Sequence, residues 1–161
     1  MLKLTLTAAT LLLSAAPAMA DWGPTHWGMS AEEVIAAVPG AKATAAEKGT
    51  NVNGLQQLAV APWKDGDVAT TATFLFDPDN GKLVFVGLMP DDPGQCEAYR
   101  ATMVARYGKG KPTDRVFGEM AMGKLDWIDP QSHDQLMFSF IRKTSDQSYS
   151  ICKFIAQQPA K

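Results

Sequence analysis

The chain has 161 residues, 46% of them hydrophobic and 20% charged, with 15 Lys+Arg against 17 Asp+Glu. This composition suits a globular chain able to bury a core, and it excludes collagen, coiled-coil and wholly disordered classes. The acidic balance excludes a strongly basic nucleic-acid binder, because neutralising phosphates takes clustered cations.

Residues 1–20 read as an export signal. Lys3 supplies a positive start, Leu4 to Ala16 form an apolar run, and Ala18-Met19-Ala20 has the small residues a signal peptidase accepts. The run is too short for a membrane span, which takes about 20 apolar residues. No Cys stands near the cut, so no lipid anchor is expected. No later stretch is long and apolar enough to predict a membrane span. The expected product is soluble and exported, periplasmic in a Gram-negative cell. Residues 21–157 are read as one domain and 158–161 as a frayed tail.

Trp22 and Trp27 stand in a Gly/Pro-rich entry. Ser30-Ala31-Glu32-Glu33 is a capping box that starts a helix, with Val34, Ile35 and Val38 as its apolar face and Pro39-Gly40 as its stop. Residues 41–53 read as loop or weak strand, and Leu55 to Ala61 as a strand. Trp63 to Asp67 reads as a turn. Val68 to Phe76 is a strong strand, Asp77 to Gly81 a hairpin turn, and Lys82 to Met89 a strand apolar on both faces. Pro93 and the Asp91-Asp92 pair suit a second helix start. Cys96, Tyr99, Met103, Val104 and Tyr107 give that helix one apolar stripe, and Gly108 caps it. Lys109 to Pro112 reads as loop. Strands are predicted at Leu125 to Ile128, Leu136 to Lys143 and Ser148 to Gln157. The predicted fold is α+β: two helices on one face of a mostly antiparallel sheet of five to six strands, in the order helix–strands–helix–strands.

Export favours pairing of the two cysteines, Cys96 and Cys152. They have neither redox-pair nor metal-ligand spacing, which leaves a disulfide or two buried thiols. A disulfide would staple the second helix to the last strand.

Trp27-Gly28-Met29-Ser30-Ala31-Glu32-Glu33-Val34, with Pro39-Gly40 after it, resembles the opening of small secreted bacterial domains. These include the outer-membrane assembly lipoproteins and the β-lactamase-inhibitor-protein-like fold. Tyr107-Gly108-Lys109 and Pro112, followed by Trp127, is similar to a pattern of other exported proteins. The resemblance implies a non-catalytic binding domain of the cell envelope. It names no partner, and the lipidated Cys of the assembly lipoproteins is missing.

Catalytic chemistry has few candidates. The two histidines, His26 and His133, could serve a small hydrolase or a metal-dependent enzyme, but no G-x-S-x-G motif accompanies them. The Asp77-x-Asp79-Asn80-Gly81 turn lacks the spacing and final Glu of a calcium loop. Gly108 to Lys111 follows a helix and lacks the ending of a phosphate-binding loop. No cofactor or metal is expected. Trp22 and Trp63 stand beside turns as candidate exposed anchors, and exposed Trp is favoured in binding hot spots. The expected site is the open sheet face, rimmed by Trp63, and the expected partner is another envelope protein.

Overall fold

The computed structural model describes residues 22–45, 51–52 and 54–159. Residues 1–21, which include the segment read as an export signal, lie outside the described residues. So do 46–50, Asn53 and the end of the tail at 160–161.

The capping box forms as expected. The Ser30 side chain accepts from the Glu33 amide, and Glu33 accepts from the Ser30 amide. It starts helix α1, Ala31–Ala37, which buries Val34 against the sheet. Two short strands, β1 (Lys42–Ala43) and β2 (Asn51–Val52), pair with the long β3, Leu55–Asp65. Strands β4 (Val68–Phe76) and β5 (Leu83–Pro90) complete an antiparallel meander. A 3-10 turn at Pro93–Gln95, capped by the Asp92 side chain, leads into helix α2, Cys96–Tyr107. Gly108 ends α2 with φ +85°. A second meander follows: β6 (Lys111–Phe117), β7 (Met120–Ile128), β8 (Gln135–Lys143) and β9 (Tyr149–Gln157).

All strand pairs are antiparallel. The order is β1-β3-β4-β5-β9-β8-β7-β6, with β2 also on β3. Pairing of β9 with β5, through Phe85↔Gln157 to Leu88↔Phe154, joins the two meanders into one nine-stranded sheet. This corrects the expectation of an α+β fold on five to six strands. Among the described residues the molecule is mainly β, with two short helices of 7 and 12 residues. The difference has local causes. β1 and β2 are two residues each. β6 is exposed at every position, so it has no apolar alternation to betray it. β7 begins five residues before its predicted start at Leu125.

Alternation divides each strand between two faces. The inner face carries Phe74, Phe76, Val86, Leu88, Leu125, Phe138, Phe140 and Phe154, covered by both helices in one core. Tyr107 stacks on Phe154 at 5.7 Å, and Tyr99 meets Phe138 edge-on at 6.0 Å. Cys96 and Cys152 form the disulfide that ties the start of α2 to β9, with 5.8 Å between Cα atoms. The other end of α2 is held by Asp65 of β3. Its carboxylate accepts from Arg106 at 2.7 Å and from the Tyr99 hydroxyl at 3.1 Å. Register shifts interrupt three ladders, between Gln57/Ala59, Leu75/Phe76 and Ile141/Arg142. Such bulges increase local twist and bend the strands.

Candidate binding site

Among the described residues, no helix covers the outer face of β6–β9. Its residues stand in cross-strand rows set by register. One row runs Thr113, Lys124, Ser139, Lys153. The next runs Arg115, Met122, Ile141, Ile151. Phe117 and Met120 lie beyond that second row. A row of two lysines and two hydroxyl residues therefore runs beside a mainly apolar one, with the Lys153 ammonium leaning from β9 over Gly87 of β5. Together they line a groove of about 540 Å³. Ligand sites of this size, largely apolar with a few placed polar groups, are typical of small-molecule binding.

The exposure of the apolar row is unusual. Phe117 is 59% exposed, Met122 48% and Ile151 42%. A contiguous patch of this kind marks an interaction surface more often than do scattered single residues.

The electrostatics are one-sided. The groove lining holds Arg115, Lys124 and Lys153 and no carboxylate, in a chain that is acidic overall. Lys124 is compensated from beside the groove by Asp126 at 2.9 Å. Lys153 is different. It lies half-buried at the centre of the sheet face, with its ammonium 5.6 Å from the centre of the Phe85 ring. Its stem crosses Gly87, where any Cβ would collide with it. Burial holds its pKa below the usual lysine value. Among the described residues no salt bridge reaches it. A smaller hollow of about 280 Å³ continues past Asp126, Met137 and Ile155 on the same face.

The residues singled out from the sequence fall elsewhere. Trp63 pairs with Thr70, which places it on the inner face rather than on the rim of the open one. Trp22 packs on it, with ring centroids 4.4 Å apart, and on Phe74 at 6.0 Å. Both are half-buried against the core. Gly23, at φ +59°, allows this approach, since a Cβ there would press on the Trp63 ring. His26 stands in the N-terminal segment and His133 in the β7–β8 turn at φ +62°. The Asp134 carboxylate accepts from the Trp27 indole at 2.8 Å, tying the N-terminal segment to that turn. Among the described residues no three His, Cys, Asp or Glu side chains gather as a metal site. No helix among the described residues is long and apolar enough to cross a membrane.

The groove residues Arg115, Phe117, Met122, Ile141, Ile151 and Lys153 did not stand out in the sequence. The signal for them was partial. In β9 the residues Ile151, Lys153 and Ile155 alternate with Cys152, Phe154 and Ala156, so both faces carry apolar side chains. No protein-family model matches the chain, and no significant match exists among curated proteins or solved structures.

Proposed function

We propose that the chain is an exported, non-catalytic binding module. Its one domain, residues 21–157, follows a cleaved signal at 1–20 and takes a partner on the outer face of β6–β9. The observation that carries this reading is the helix-free groove, with exposed Phe117, Met122 and Ile151 beside an uncompensated Lys153. The disulfide supports export, since such crosslinks persist in oxidising compartments. The resemblance of the Trp27–Val34 and Tyr107–Trp127 segments to small envelope domains points the same way.

The test is an amide NMR map of isotope-labelled mature protein. Envelope extract of the source cell is added as separate protein and small-molecule fractions. Shifts gathered on the outward residues of β6–β9, and lost in a folded Ile151→Glu variant, are the expected result. Shifts confined to the helical face, or none from either fraction, overturn the reading.

A further inference from the structure

The groove's two rows also restrict the chemistry of what it holds. We propose that its ligand is a small anionic amphiphile: one negatively charged head, carboxylate or phosphate, on a single apolar tail. The inference rests on the binding-module reading and adds the ligand class.

The head belongs on the polar row. Thr113, Lys124, Ser139 and Lys153 stand in register across four strands, and the Lys153 side chain leans from β9 over Gly87 of β5, which sets its ammonium at the inner end of the groove. Asp126 already neutralises Lys124, and its two carboxylate oxygens lie 2.9 and 3.2 Å from the Lys124 ammonium. Lys153 and Arg115 have no salt-bridge partner among the described residues, so theirs are the charges that an incoming anion would complete, Lys153 being the half-buried one. A half-buried cation set in an apolar surface is costly until it is paired, and a charge-assisted hydrogen bond is stronger than a neutral one.

The tail belongs on the adjoining row. Met122, Ile141 and Ile151 form a continuous apolar track across β7, β8 and β9, and Phe117 extends it at the edge. Four neighbouring strands span about 14 Å at the usual inter-strand spacing, which suits a tail of roughly ten carbons lying across them. Methionine at the middle of the track adapts to an irregular chain. The groove's volume, about 540 Å³, matches a ligand of this size rather than a folded partner. Lys153 lies low on the sheet face against Gly87 and Phe85, where a slender head reaches it more readily than a broad protein surface.

The test uses the mature, oxidised protein and three probes of equal tail length: decanoate, decanol and decyltrimethylammonium, each below its micelle-forming concentration. Amide NMR titration gives the affinity and the site together. The expected result is decanoate binding on the outer face of β6–β9, at least tenfold tighter than decanol, with the cationic probe weakest. Lys153→Met keeps the apolar stem and removes the charge, and should cost decanoate about tenfold while leaving decanol unchanged. Lys124→Gln, at the lysine already paired with Asp126, is the second variant and should weaken decanoate by a smaller factor. Decyl phosphate against decanoate separates the two head chemistries, and preference for either supports the class. Equal affinity for decanoate and decanol overturns the inference and leaves the binding-module reading standing. So does a groove that responds to envelope protein and to none of the probes. A groove silent to probes and extract alike removes both.

Discussion

Reducing the Cys96–Cys152 bond should remove a large share of the molecule's stability. The two cysteines are 56 positions apart in sequence, so the crosslink closes a long loop in the unfolded chain. The chain-entropy relation for a loop of that length gives about 14 cal/mol/K, or about 4 kcal/mol at 25 °C. Domains of this size are stable by about 5–15 kcal/mol in total. The assay is urea unfolding of oxidised and reduced protein at one pH. With a slope of about 2 kcal/mol/M, the midpoint should fall by about 2 M, and the slope itself should rise as the unfolded chain expands. Reduced wild-type protein is the right comparison, because it keeps both sulfurs in place. A Cys96→Ala/Cys152→Ala variant would also open cavities, since these residues are only 1% and 2% exposed. Oxidised and reduced midpoints agreeing within about 0.5 M would refute the reasoning, because the covalent tie would then constrain nothing that matters to the unfolded state.

Asp65→Asn weakens the carboxylate that holds Arg106 and Tyr99. Because the Arg106 side chain is 43% exposed, solvent moderates the effect, and a loss of about 2 kcal/mol in chemical denaturation is expected. A cost below about 0.5 kcal/mol would show that the Asp65 carboxylate does not help to hold α2. Gly110→Ala places a Cβ against the Trp127 indole at φ +67°, so thermal unfolding should reveal a loss of about 1–3 kcal/mol. An unchanged melting temperature would contradict it. The tyrosines set the alkaline limit. Tyr149 is pushed up to about 12 by burial and then by its hydrogen bond to Glu97, and Tyr99 is raised by burial and then by Asp65. The folded state keeps these protons after the unfolded chain has released them. Their contribution is therefore complete below about pH 10 and is lost as pH rises from there through about 12. Urea midpoints should fall across that window, and a midpoint constant through it would refute the assignment.

Local chemistry made several elements legible. The Ser30–Glu33 capping box, the Gly108 cap and the Asp77–Gly81 turn each depend on a few neighbouring side chains, and each forms. The Val68–Phe76 strand has a residue composition that favours a half-buried pleat, and its bounds match the predicted ones. The candidate site was much less legible. β6 contributes Thr113, Arg115 and Phe117, yet it is an exposed edge strand with no buried side to impose a pattern. The two Trp residues expected to mark the site instead pack on each other against the core.

What the sequence determined alone is what acts over short range: caps, turns, the apolar stripe of α2 and the twofold alternation of the central strands. The presence of two cysteines also set the pairing that the structure shows. Tertiary structure decided how the strands are shared between faces. Side chains along a strand alternate, so a shift of one residue in pairing exchanges the two faces, and that register comes from partners far away in the chain. Trp63 faces the core because it sits opposite Thr70. Lys153 joins Thr113 in one polar row only because β9, β8, β7 and β6 pair as they do.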